Sequence, residues 1–318
     1  MQKGFILKFF LIIAGGVLLC GAFFQSLVAP PIDFPVPYHL TIERGQSLFS
    51  VSRELKDAGL IRSPRIFEIG MLTFGSDKNI SEGEYYFTAP TNVFTIALRI
   101  SGKQFGIDKK KVTFPEGFSN TEMSRRLVAT FPEFDEALFL KLAEDDQGYL
   151  FPDTYRFFPT VQPDAVISTM NRTFDAKMLK YESDIAASKY TKEQIIIMAS
   201  IIEKEARGEN DRATVAGILW KRLDMGIALQ VDAPFLYLLG KESKELTRED
   251  LAINSPYNTY RNKGLPPTPI NNPGLAAIDA VLHPVASPYL FYLHDAQGDV
   301  YYAVTYEEHK KNIRLYLQ

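Results

Sequence analysis

Eight consecutive residues, Ile195-Ile-Ile-Met-Ala-Ser-Ile-Ile202, constrain this fold more than any other stretch. The spacing predicts a helix over Lys192–Arg207. Such a helix is apolar on every side, and a helix apolar all round is normally buried on all sides. A domain has to be built around it. It nevertheless ends in two carboxylates, Glu203 and Glu205, with Lys204 between them. Glu203 lies four residues after Ala199 and seven after Ile196, so it continues a buried stripe. Glu205 points about 160° away, so the two are not a facing dyad. Burial and the negative end of the helix dipole both disfavour the Glu203 anion. A glutamate with a raised pKa can be protonated near neutral pH and act as a general acid. The plainer alternative is a solvated helix end, with both acids paired to Arg207 and Lys204.

Composition narrows the chemistry. The chain has 318 residues, 46% hydrophobic and 23% charged, with a net charge of −3. That is a globular composition with no sign of nucleic-acid binding. The single cysteine, Cys20, excludes an intrachain disulfide and a cysteine metal site. His39, His283, His294 and His309 are scattered without metal-ligand spacing, so no metal and no cofactor is expected. There is no GxSxG, GxxxxGK[ST] or HExxH motif. The carboxylates, amides, hydroxyls and aromatics that remain suit carbohydrate, where rings stack on aromatics and carboxylates move protons.

From Phe9 to Ala29 the chain carries no charge, and only Gln25 and Ser26 are polar. About 20 such residues suffice to cross a bilayer. Lys3 and Lys8 precede the stretch, and no basic residue follows until Arg44. That bias puts the N-terminus in the cytoplasm and the rest outside. The alternative is a cleaved signal peptide, but Leu27-Val28-Ala29 is a poor cleavage site and the span is long. The segment Leu18-Leu19-Cys20-Gly21 lacks the small residue expected before a lipidated cysteine.

The expected organisation is α+β. It comprises a stub and span over 1–29, a Pro-rich spacer over 30–37, a small module over 38–106 and a larger mixed domain over 107–318. In the small module, Tyr38-His-Leu-Thr-Ile alternates like a strand. Ser47 caps a helix that Gly59 ends, Pro64 opens a second helix, and Glu84-Tyr-Tyr-Phe-Thr reads as a strand. A helix follows over Phe94–Ile100. In the larger domain, Lys111-Val-Thr-Phe reads as a strand and Thr121–Thr130 as a helix. Helices continue to about Ile227, broken at Tyr149–Tyr155. Asn254–Gly274 is irregular, rich in Pro and Asn, and either functional or disordered; its aromatics argue against disorder. Two strands, Tyr289–Leu293 and Val300–Val304, flank a turn at Asp295–Gly298. A terminal helix holds Ile313, Leu315 and Leu317.

Several polar stretches sit in these loops: Glu116-Gly117, Gly148-Tyr-Leu-Phe-Pro-Asp-Thr-Tyr155, Leu229-Gln-Val-Asp232, Tyr257-Asn-Thr-Tyr260, Gly264-Leu-Pro-Pro267, Asn272-Pro-Gly274 and His283-Pro284. Singly, each is more often turn chemistry than a binding site. In this order, with Ala199-Ser-Ile-Ile-Glu-Lys-Glu205, they resemble the MltG/YceG family of membrane-anchored endolytic murein transglycosylases. The first module resembles that family's LysM-like subdomain. The resemblance implies that Glu203, first of the Glu-Lys-Glu, protonates the glycosidic oxygen of a MurNAc–GlcNAc linkage. As a carboxylate it then takes the proton from the MurNAc C6 hydroxyl, which attacks C1 and closes a 1,6-anhydro ring without water. The N-acetyl group can assist. Gln230, Asp232, Asn258 and Tyr260 match positions lining the cleft, with Glu205 and Asp153 beside them. Asp153 has a structural alternative, as an Asp that bonds its own turn. The resemblance also implies an inner-membrane enzyme facing outward, with glycan strands as substrate and peptidoglycan synthases as partners. The segment Gln230-Val-Asp-Ala-Pro-Phe departs from the family's usual continuation, and Thr268 stands where Gly is frequent. Two other readings stand beside this one: a hydrolase of the same glycan with Asp232 or Asp153 as base, and a non-catalytic peptidoglycan-binding anchor.

Overall fold

The structure, a computed structural model, describes residues 2–74, 80–206, 208–241 and 243–317. It is α+β, with many helices and three two-stranded antiparallel sheets among the described residues. Two compact units divide it, Met1–Lys109 and Lys110–Gln318.

The first unit opens with helix α1 (Gln2–Val28). Among the described residues no helix is long and apolar enough to cross a membrane. Side chains of α1 ahead of Ala14, part of the expected span, lie outside the described residues. A β-α-α-β unit follows: β1 (Tyr38–Ile42), α2 (Leu48–Asp57), α3 (Pro64–Thr73) and β2 (Gly83–Phe87), then α4 (Val93–Ser101). The strands pair in antiparallel register, Leu40 opposite Tyr85. The local signals act as read: the Ser47 hydroxyl accepts the Ser50 N–H, Pro64 is at the first turn of α3, and Gly59 follows α2 with φ +72. Leu40, Val51, Leu55, Phe67, Tyr85 and Ile96 fill one core.

The second unit contains β3 (Lys110–Thr113), α5 (Asn120–Thr130), α6 (Glu136–Leu142), β4 (Thr154–Phe157), α7 (Pro163–Met178), α8 (Glu182–Ala187), α9 (Lys192–Glu205), α10 (Glu209–Asp224), α11 (Ala233–Leu239), α12 (Arg248–Leu251), α13 (Leu275–Leu282), β5 (Phe291–His294), β6 (Val300–Ala303) and α14 (Tyr306–Tyr316). Strand β4 pairs with β3, Tyr155 opposite Val112. The stretch expected to be only a break between helices therefore carries a strand at its end. Its pairing partner is some forty residues away, and no local periodicity in so short a strand announces it.

Helix α9 is the axis of this unit. A Thr191–Gln194 capping box starts it, and all eight residues from Ile195 to Ile202 are buried. They pack against α10, α11 and α13, in one core with Phe174, Leu219, Trp220, Phe151 and Val281. The Trp220 indole stacks on Tyr190 and donates to the Val281 carbonyl at 3.0 Å, tying α10 to α13. The helix stops at Glu205, short of the expected end; Arg207 lies outside the described residues. A second core, with Val112, Phe114, Met123, Leu127 and Phe139, lies between the β3–β4 pair and α5–α7.

The loop before α13 has no regular structure over 254–274, yet it is ordered by side chains. The Asn272 amide oxygen accepts the N–H groups of Gly148 and Leu150, while its nitrogen donates to the Phe118 carbonyl and to Asn120. The Asn271 amide donates to the Ser200 carbonyl, and the Ser200 hydroxyl accepts the Ile270 N–H. Three loops, after β3, after α6 and before α13, are thereby fixed to α9 close to its acidic end.

Candidate active site

The last turn of α9 sends its two carboxylates into different surroundings. The Glu203 side chain is 6% exposed. Its Oε2 accepts the Gly274 N–H at 2.8 Å, where α13 begins. Its Oε1 faces Arg212 Nη2 at 3.5 Å, an ion-pair contact rather than a close hydrogen bond. Arg212 is steadied in turn by the Ala206 carbonyl. The loop after β3 closes one wall. The Gly117 N–H donates to the Asn272 carbonyl, and a Cβ on Gly117 would come within 3.2 Å of Glu203 Cγ.

Burial pushes the Glu203 pKa above its ordinary value, and the Glu116 carboxylate adds to the rise. The Gly274 N–H, Arg212 and Lys204 pull the other way without cancelling it. The balance gives the residue two competent states. Neutral, it carries a proton; ionised, it finds a donor and a cation already in place.

Glu205 is held differently. Its Oε2 accepts the Tyr292 hydroxyl at 2.8 Å and its Oε1 the Ala233 N–H at 3.4 Å. Burial pushes its pKa up to about 7, against the Tyr292 hydrogen bond and with help from the nearby Asp232 carboxylate. Asp232 accepts the Tyr260 hydroxyl at 2.7 Å. Burial and that bond raise the Tyr260 pKa beyond any physiological range, so the phenol stays a donor. Buried Arg222 grips the Gln230 amide oxygen at 2.6 Å and the Ala228 carbonyl, and Gln230 itself sits at φ +53. A non-glycine residue there marks a strained loop. Gln230 is exposed despite the Arg222 bond, and Asp232 and Tyr260 are partly exposed. These three can present polar atoms to a ligand.

Asn258 presents none. It is fully buried, donates to the Leu251 and Ile253 carbonyls, and accepts the N–H groups of Tyr260 and Arg261. The cleft-lining role expected for it becomes an indirect one, shaping the loop that carries Tyr260. Asp153 is exposed; it accepts the Thr154 N–H at 2.7 Å and lies 4.0 Å from Lys177. This is the turn role that the sequence left open.

A cleft of about 450 Å³ opens next to this turn. Gly117, Lys204, Ala233, Asn271, Arg125 and Tyr237 are among its walls, while Glu203 and Glu205 themselves are not. Among the described residues no three His, Cys, Asp or Glu side chains are grouped to hold a metal ion. Sequence reasoning did not assign Arg212, Tyr292 or Arg222. Arg212 and Arg222 reach the site from α10 and Tyr292 from β5, and nothing in their local sequence marks them.

The chain resembles known proteins over most of its length. The model of the YceG-like family matches residues 40–315. The chain is 28% identical over 334 residues to an endolytic murein transglycosylase of Bacillus subtilis, covering 96% of this chain and 91% of that one. It is 27% identical over 364 residues to the endolytic murein transglycosylase of Streptococcus pneumoniae D39, covering 98% of this chain and 65% of that one. A 2.6 Å crystal structure of a yceG-like protein from Listeria monocytogenes superposes with a TM-score of 0.59 at 31% identity, over 86% of this chain and 98% of that one.

Proposed function

This chain belongs to the YceG-like family, and on that premise we propose that it is an endolytic murein transglycosylase in which Glu203 is acid and then base. The carrying observation is the wiring of Glu203. With Oε2 committed to the Gly274 N–H, Oε1 is the oxygen available to hold a proton. Burial favours the protonated form of Glu203. Glu203 gives it to the glycosidic oxygen between MurNAc and GlcNAc, and the C1–O bond breaks. Arg212 and the Gly274 N–H stabilise the carboxylate left behind. That carboxylate takes the proton of the MurNAc C6 hydroxyl, whose oxygen closes on C1. Glu203 ends as it began, and no water is consumed. One carboxylate suffices because the sugar supplies the nucleophile.

Asp232, Tyr260 and Gln230 are read as sugar-positioning groups at the Ala233 side of the cleft, supported by their partial exposure and by the phenol held as a donor. Helix α1, which carries nearly all of the uncharged stretch from Phe9 to Ala29, is read as a retained anchor that leaves the catalytic unit on the outer face of the cytoplasmic membrane. The β-α-α-β unit is read as a LysM-like module, and synthases that extrude glycan strands at that face are the natural partners.

The test uses the soluble part from Asp33 onward, incubated with uncrosslinked glycan strands beside a Glu203→Gln version. Mass spectrometry should find anhydro-ended fragments from the first protein alone. Fragments heavier by one water would make the enzyme a hydrolase. Strand binding without cleavage by either would make it an anchor.

A further inference from the structure

Two glycines flank the acid, and each lies against a glutamate side chain. Gly117 has φ +79, and a Cβ there would press on Glu203 Cγ. Gly274 has an ordinary extended backbone, φ −81 and ψ 172, which any residue adopts. A Cβ on Gly274 would fall on the Glu116 carboxylate, which would have to move aside. Glu203 binds the N–H of Gly274 while Glu116 lies against its Cα. The two acids thus share one residue, and the loop Glu116-Gly117 meets both through adjacent positions. Glu116 is itself exposed, and its carboxylate meets Gly274 across 158 positions of sequence.

We propose that Glu116 is a positioning residue of this site: its fixed negative charge across Gly274 holds the proton on Glu203 until a sugar oxygen takes it. The proposal rests on the reading of Glu203 as the general acid. A like charge close by disfavours ionisation; here Glu203 is buried and Glu116 exposed, so solvent screens part of the effect. The charged groups facing Glu203 are Lys204 from its own helix, Arg212 from α10 and Glu116 from the β3–α5 loop; α13 contributes the Gly274 N–H. Lys204 and Arg212 favour the anion. Glu116 is the one charge among these that favours the acid, and it offsets them in the direction the first chemical step requires. After donation the same charge speeds return of a proton, because it disfavours the ionised Glu203.

The test compares kcat/KM against pH for the wild-type chain and Glu116→Gln on uncrosslinked strands. The alkaline limb, which reports loss of the Glu203 proton, should move to lower pH. The loss should be about three- to tenfold larger at pH 8 than at pH 5. Gly274→Ala, whose methyl takes the place of the Glu116 carboxylate, should give the same pH-dependent loss if Glu116→Gln folds poorly. A loss equal at every pH, or none, would overturn the proposal and leave Glu116 a structural group. If the wild-type chain itself proves inactive, carboxyl carbon NMR still decides: Glu203 should titrate at lower pH in Glu116→Gln, and an unmoved titration refutes the proposal whatever the enzyme does.

Discussion

Glu203 and Glu205 are two residues apart on one helix, both buried enough to have raised pKa values, and the structure surrounds them in different ways. Glu205 is enclosed by donors from its own protein: a phenol takes one oxygen and a backbone N–H reaches the other. It carries the larger shift, to about 7, yet a proton on it is spent inside the network. Glu203 has one oxygen bonded and one in looser contact with a cation. The lesson is that the size of a pKa shift does not identify a catalytic acid. Which oxygen is left unbonded, and what waits to stabilise the ion, decides it.

Four substitutions would break or sharpen that contrast. The largest effect belongs to Glu203→Ala. It removes the proton and leaves Arg212 without its partner, so strand cleavage should fall at least about 10³-fold. Glu205→Gln comes next and acts on stability. Its folded pKa of about 7 lies above the ordinary value of 4.5, so the wild-type chain loses stability as pH rises between those limits, by about 3 kcal/mol. The variant should lack that share of the loss, seen as a smaller drop in Tm from pH 5 to pH 8. Asn258→Ala removes four hydrogen bonds beneath the Tyr260 loop and should cost about 2–3 kcal/mol in denaturant unfolding. It should raise KM only through displacement of Tyr260. The smallest effect is Tyr292→Phe, about 1 kcal/mol, greatest above pH 7 where Glu205 is ionised and its lost donor matters most.

The sequence made α9 legible because its signal is local: an unbroken apolar run cannot be a surface helix, and spacing puts Glu203 on its buried stripe, while its role as acid rests on the family resemblance. Caps and breaks such as Ser47, Gly59 and Pro64 were legible for the same reason. The surroundings of the acid were not. Gly274 reaches Glu203 from 71 residues downstream, and Tyr292 reaches Glu205 from 87. Asn272 joins loops 124 and 154 residues before it. Such contacts are set by chain topology, and no periodicity encodes them. Asn258 shows the opposite limit: a polar residue in a loop motif reads as a ligand contact until its burial is known.

The most direct test of the contrast is to assay Glu203→Gln and Glu205→Gln side by side on the same uncrosslinked glycan strands at pH 6, with circular dichroism to confirm that both fold. Glu203→Gln should release no anhydro-ended fragments, while Glu205→Gln should keep activity within about tenfold of the wild-type chain. An active Glu203→Gln beside a silent Glu205→Gln would contradict the account and move the acid to the other face of the helix.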